Sequence, residues 1–274
     1  MNKLSTEERR AVIAALVEGN SIRATVRITG IAKNTVVKLL CDLGRACSEY
    51  QDKAFRNLKC KRLQCDEIWS FFYAKEKNCP LEQKLKGGGD VWTWVALDAD
   101  TKLVPCWFIG PQHATAAYHF MTDLQERLAN RVQLTTDGHR AYLIPVNRTF
   151  GTEIDYAMLI KLYGKPSQDI RETRYSPAVC IGAFNTVVSG EPDTNHVSTS
   201  YVERQNLTMR MSMRRFTRLT NGFSKKVENL EHAIALHYMH YNLCRIHQTL
   251  RVTPAMEAGV SDHVWDLDEV IALL

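Results

Sequence analysis

Leu63-Gln-Cys-Asp-Glu-Ile-Trp-Ser-Phe-Phe-Tyr73 is the stretch on which the reading of this chain turns. Aromatic and branched residues dominate it, which favours a strand. Apolar residues leave too few polar positions for one wet face, so it predicts a strand buried on both sides, as in a parallel or mixed sheet. Asp66 stands inside it. A carboxylate in such a place is expensive unless a cation pairs with it or a metal binds it.

Downstream, Val91–Leu97 and Leu103–Ile109 read as strands joined by the turn Asp98-Ala99-Asp100, a hairpin. Ala114–Leu128 carries Ala117, Phe120, Met121, Leu124 and Leu128 at helical spacing. Val132–Thr136 is a fourth strand, stopped by Gly138. Three strands, a helix and a fourth strand predict a mixed α/β sheet with one crossover. Residues 140–200 are less regular, with strand fragments at Ile154–Leu162 and Val179–Val188 between turn residues. From Tyr201 to Cys244 the pattern is mostly helical.

Upstream, Ser5-Thr-Glu-Glu8 has the spacing of a capping box and opens a first helix. Ser21 can cap a short second helix, Gly30 breaks the chain, and a third helix runs from Lys33 to Leu43 with Gly44 as its C-cap. This is the order of a helix-turn-helix, whose last helix would offer Asn34, Thr35 and Lys38 to base edges. A plain three-helix cap has the same pattern. The expected organisation is a small all-α domain over 1–45, a polar linker over 46–60 and an α/β domain over 61–274 with an irregular β-containing insertion at 140–200.

The 274 residues are 45% apolar and 24% charged, the composition of a globular protein. No apolar run is long enough to span a bilayer, and the first ten residues hold no signal core. A cytoplasmic protein is expected. The eight cysteines include no C-x-x-C pair and read as reduced thiols. The net charge of +5 hides a pattern. Residues 1–60 hold 11 Lys/Arg against 6 Asp/Glu, residues 202–226 hold 7 against one acid, Glu203, and the remainder is net acidic. Two basic blocks on an acidic body suit a polyanion partner. They are also compatible with two solvated faces.

Two further acids join Asp66. Asp137 ends the fourth strand, where site residues of α/β sheets gather, although Asp before Gly138 also suits a turn. Glu203 opens the later helix inside the most basic block, although Ser200-x-x-Glu203 also spells a capping box. Asp66 could equally pair with a Lys or Arg. Three carboxylates converging on one site would need cations between them. Two Mg2+ ions suit carboxylate and phosphate oxygens and can serve an in-line displacement at phosphorus. Arg204, Arg210, Arg214, Arg215, Lys225 and Lys226 are candidate phosphate contacts. His139, beside Asp137, is placed to assist such a site but reads better as an exposed turn histidine, and the strand tryptophans read as core or sheet-face residues.

At these residues the sequence resembles the DDE transposases with an RNase H-like catalytic core, most closely the family of the bacterial insertion sequence one element. The resemblance runs through Arg23-Ala-Thr-Val-Arg-Ile-Thr-Gly-Ile-Ala-Lys-Asn-Thr-Val36, Asp66-Glu-Ile-Trp69 and Thr136-Asp-Gly138. It is strongest in Tyr201-Val-Glu-Arg-Gln-Asn-Leu-Thr-Met-Arg210 and Phe223-Ser-Lys-Lys-Val-Glu228. It implies an RNase H-like mixed sheet flanked by helices after a helix-turn-helix, with Asp66, Asp137 and Glu203 as catalytic, metal-binding triad. The implied activity is cutting of insertion-sequence ends and joining to target DNA, with two Mg2+ ions or Mn2+ in their place. Double-stranded DNA and further copies of the chain in a synaptic complex are the implied partners, without a membrane and within the nucleoid. A nuclease with no joining step and a non-enzymatic DNA-binding regulator are the rival readings.

Overall fold

The computed structural model describes residues 4–164, 179–217 and 220–274. The sheet has six strands: β1 (Arg62–Phe72), β2 (Gly89–Asp98), β3 (Trp107–Gly110), β4 (Val132–Asp137), β5 (Ile154–Tyr163) and β6 (Cys180–Ser189). Their order is β3-β2-β1-β4-β5-β6. β1 runs parallel to β4 and β4 to β5, while the β1–β2, β2–β3 and β5–β6 pairs are antiparallel. The chain is thus mixed α/β, a six-stranded mixed sheet flanked by helices, consistent with an RNase H-like arrangement.

The helices are α1 (Thr6–Val17), α2 (Ile22–Thr29), α3 (Lys33–Ala54), the single turn α4 (Leu81–Lys84), α5 (Ala114–Arg127), α6 (Leu143–Phe150), α7 (Ser200–Ser212), α8 (Val227–Met239) and two short C-terminal helices, α9 (Pro254–Glu257) and α10 (Leu267–Ile271). Alternation along β1 sends Gln64 and Asp66 to one face of the sheet and Glu67 to the other. α7 lies on the Asp66 face, where the Gln64 side chain reaches its first turn. α5 leads from β3 to β4, and the turn into α6 brings Tyr142 onto the Glu67 face, against fully buried Trp94. One apolar core runs through the N-terminal helices, the sheet and α8.

The start signals in the first helices act as their sequence implies. Ser5 and Glu8 form a reciprocal capping box on α1, Ser21 caps α2, and Gly30 closes α2 with a φ of 72°, a left-handed conformation that suits glycine. α3 departs from expectation. It does not stop at Leu43 but runs on to Ala54, 22 residues in all, so the expected 46–60 linker is helical as far as Ala54. Gly44 is no C-cap. It lies against α8, where an added Cβ would come within 2.5 Å of the His232 carbonyl oxygen. The glycine serves a close helix–helix approach, and Gln51 on the next turns donates to the Ala235 carbonyl at 3.0 Å.

Two other expected elements are interrupted. Leu103–Ile109 forms a ladder only from Trp107, because Pro105 lacks a donor and the Val104 backbone pairs with the Asn242 side chain in both directions at 3.0 Å. The helix expected over Tyr201–Cys244 breaks between Ser212 and Val227, around Asn221-Gly222. In the expected 140–200 insertion, Ile154–Tyr163 is an interior strand between β4 and β6, and residues 165–178 lie outside the described residues. All eight cysteines are free thiols. Among the described residues no helix is long and apolar enough to cross a membrane.

Candidate functional site

β1 and β4 pair in parallel as far as Cys65 opposite Thr136. Asp66 and Asp137 are the next residue on each strand, so the register itself sets two carboxylates side by side where the pairing stops. Asp137 accepts the His139 backbone N–H at 3.0 Å, which fixes its side chain in the turn. The turn reading of Asp137 therefore holds together with its strand-end position.

Glu203 arrives from α7. The helix starts after Thr199, and its first orphan N–H groups are capped from outside: Gln64 Oε1 accepts from Tyr201 at 2.9 Å and Val202 at 3.1 Å. Gln64 sits two residues before Asp66 on the same face of β1, so one strand both carries an acid and locks the helix that brings another. Glu203 is not the partner in a Ser200 capping box. Its carboxylate accepts from the Thr199 hydroxyl at 2.5 Å and pairs with Lys161 of β5. One turn further along α7, buried Asn206 donates to Asp66 Oδ2 at 2.9 Å.

The three carboxylates lie within one another's electrostatic reach. Asp66 is pushed up to about 6, by burial first and then by the charges of Asp137 and Glu203, against the Asn206 hydrogen bond. Asp137 is also raised, by burial first and by Glu203, while His139 and Lys161 pull it down. Burial opposes the charge on Lys161, but the Glu203 carboxylate holds it above its ordinary value. This is a half-buried knot of three acids and one lysine drawn from four elements.

The donor set is hard oxygen throughout, the kind that Mg2+ and Mn2+ take. Asn206 Oδ1, beside Asp66, is buried with no hydrogen-bond partner, one more oxygen suited to a cation or its water. Among the described residues no three His, Cys, Asp or Glu groups stand close enough together to grip an ion as they are. Glu203 is turned toward Lys161 instead. In chemistry the residues fit a divalent cation, and the Lys161 amine supplies the local positive charge.

Glu67, on the opposite face, was not singled out by its sequence. Burial pushes it up to about 8, Asp137 adds to this, and Tyr142 and Gln112 oppose it. Gln112 donates to it at 3.1 Å. The half-buried His139 ring packs beside Trp94 and edge-on to Tyr142 on that face, with its Nε2 buried and unpartnered, and so is not an exposed turn histidine. Gln64, Lys161 and Asn206 were missed as well. Their signals are faint: a lysine in an apolar strand, and an amide one turn after Glu203.

The expected DNA-contact residues fall into two groups. On α3, Asn34 is exposed, Thr35 is half-buried and Lys38 pairs with Asp42 on its own helix. In the second basic block, Arg204, Arg214, Lys225 and Lys226 are exposed, Arg210 donates to the Phe216 carbonyl at 3.0 Å, and Arg215 donates to the Ser224 hydroxyl. Asn34, Arg214, Arg215, Lys225 and Lys226 line one common groove, and Thr35, Lys38, Arg204 and Arg210 lie outside it.

No protein-family model matches the chain, and no curated protein matches it by sequence. Among solved structures, the synaptic complex of piggyBac transposase with hairpin DNA, seen by cryo-electron microscopy, matches 99% of this chain and 70% of its own at 10% identity. The TM-score is 0.44, a likeness too slight to assign a family or an activity.

Proposed function

We propose that the chain is a DDE transposase of the insertion-sequence-one kind, a polynucleotidyl transferase that cuts the ends of an insertion sequence and joins them to target DNA. One observation carries this reading: Asp66, inside β1, and Asp137, at the end of β4, adjoin where the parallel pairing of the two strands stops, within electrostatic reach of Glu203, on a helix that β1 itself caps. A structural ion pair needs one acid and one base, whereas this arrangement concentrates three acids and raises the two on the strands.

Asp66, Asp137 and Glu203 would hold two Mg2+ ions, or Mn2+, with the Asn206 carbonyl beside them. Bound there, the cations would lower the pKa of the attacking hydroxyl and take up charge on the phosphate oxygens. The chain's residues supply the rest. Gln64 and the His139 backbone hold Glu203 and Asp137 in place. Lys161 pairs with Glu203, and becomes a phosphate contact when the carboxylate turns to a cation. Asn34, Thr35 and Lys38 read the end sequence, and Arg204, Arg210, Arg214, Arg215, Lys225 and Lys226 take the backbone, so the chemistry is mainly positioning and charge neutralisation. Copies of the chain pair two ends in a synaptic complex in the nucleoid.

The test uses the full chain, end duplexes selected by the protein from a randomised pool, and supercoiled plasmid as target. With Mg2+, the expected result is strand cleavage followed by joining of 3′-hydroxyl ends to the plasmid. Hydrolysis without joined product would make it a nuclease. End binding with neither step, in Mg2+ and in Mn2+, would make it a regulator.

A further inference from the structure

A wide groove lies away from the carboxylates. It has a volume of about 1250 Å³ and runs between α2–α3 and the segment that joins α7 to α8. Arg27 and Lys33 stand on one side, Arg214, Arg215, Lys225 and Lys226 on the other. Eight of its lining residues are Lys or Arg and none is Asp or Glu. The two basic blocks of the sequence, far apart along the chain, are the two walls of this groove. Like charges placed face to face at such a density are destabilising unless an anion lies between them.

Arg215 sharpens the point. It is half-buried, its guanidinium donates to Ser224, and no carboxylate pairs with it among the described residues. A guanidinium taken partly out of water without an acid is costly. A phosphate would complete it, with the bidentate geometry that arginine favours.

The groove also has an aromatic side. Phe223 lines it and is half-buried. Its ring lies 5.1 Å from Phe71, which lies 5.7 Å from Trp69. Lys75, also in the lining, holds its amine 5.5 Å above the Trp69 ring and 5.8 Å above Phe71. The loop is tied to the sheet where the Tyr73 N–H meets the Ser224 carbonyl at 2.8 Å. The groove therefore opens just past the end of β1, six residues or roughly 20 Å beyond Asp66. A duplex hides its base faces by stacking, and basic walls alone would serve it. Basic walls around a partly exposed ring are the pattern of proteins that bind an unpaired strand, with bases stacked on rings and phosphates on cations.

We propose that this groove binds an unpaired DNA strand, with a base stacked on Phe223 and the backbone held between Lys33 and Arg214. The choice of DNA rests on the transposase reading above; the preference for an unpaired strand does not.

Anisotropy of a fluorescein-labelled oligothymidylate, beside the same label on a duplex, tests this with the full-length protein. Phe223→Leu is expected to weaken oligothymidylate binding roughly tenfold, as loss of one stacked base implies, and to leave the duplex unchanged. Phe223→Trp should restore or tighten it. Lys33→Gln and Arg214→Gln should each make the salt dependence of oligothymidylate binding shallower, by about 0.7 unit of slope. Equal affinities for the leucine and tryptophan variants, at unchanged melting temperature, overturn the stacking. Duplex that competes with oligothymidylate and shows the same loss in Phe223→Leu overturns the unpaired-strand preference. Asp66→Asn should leave all these affinities as they are, so the groove and the carboxylate site can fail separately.

Discussion

Asp66 and Glu67 are consecutive residues on one strand, they face opposite sides of the sheet, and burial raises both carboxyl groups. Around Asp66 stand Asp137, Glu203, Lys161 and the Asn206 amide, charges and dipoles drawn from β4, β5 and α7. Around Glu67 stand Gln112, Tyr142 and Trp94, an uncharged and mostly aromatic set of neighbours, with the charge of Asp137 acting on it as well. The larger shift belongs to Glu67, yet the acids gather on the Asp66 side. A displaced pKa reports burial first. What marks a site is the meeting of several acids from separate elements with a cation among them.

The strongest way to break this comparison is to remove each acid in turn. Asp66→Asn is expected to lower metal-dependent strand cleavage on the order of a thousandfold, since several kcal/mol of charge stabilisation depend on the cation. Glu67→Gln should leave cleavage within a few-fold of the parent. Comparable losses in a gel assay of both variants would erase the distinction between the two faces.

The next effect is on stability against pH. An acid whose folded-state pKa is raised binds its proton more tightly in the native state, so stability falls as pH rises from the unfolded value toward the folded one. For Glu67 that window runs from 4.5 to about 8. In chelator, the parent is expected to lose up to a few kcal/mol across it, read by urea denaturation. Glu67→Gln should flatten that fall, and Asp66→Asn should flatten only its lower part, below about 6. A parent profile that rises from pH 5 to 8 would contradict the assignment.

A smaller effect comes from the cap. Gln64→Ala leaves the first N–H groups of α7 unmet and should cost about 1–2 kcal/mol. It should also weaken Mg2+ binding by calorimetry, because Glu203 rides on that helix; a stability loss with unchanged metal affinity would confine Gln64 to a structural role. The smallest is Lys161→Met. The ion pair with Glu203 is partly exposed, with side chains 24% and 41% accessible, so its loss should shift the melting temperature by only about 2 °C. A fall much larger than this would mean that Lys161 serves the core more than the site.

The sequence made the sheet legible wherever one residue pattern decides one element. β1, β4 and α5 follow from apolar spacing, and α1 and α2 from Ser5, Glu8 and Ser21. α3 was cut short because Gly44 reads locally as a stop, while its reason lies in α8, nearly two hundred residues away. The positions of Asp66 inside a strand, Asp137 at a strand end and Glu203 at a helix start were also legible. Their supports were not: Gln64 meets α7 across 137 residues of chain, and Asn206 meets Asp66 across 140. Single polar residues in apolar strands announce a cost, but the partner that offsets it is set by topology.

Gly44 has a mechanical consequence. α3 is a rod of about 33 Å, seated on α8 near its middle, with no side chain at the seat. Asn34 and Lys33 stand ten and eleven residues from that seat, about 15 Å along the rod, on one wall of the basic groove. A methyl group added there would meet the His232 backbone at 2.5 Å, so the rod that carries Lys33 and Asn34 keeps its seat only while residue 44 has no side chain.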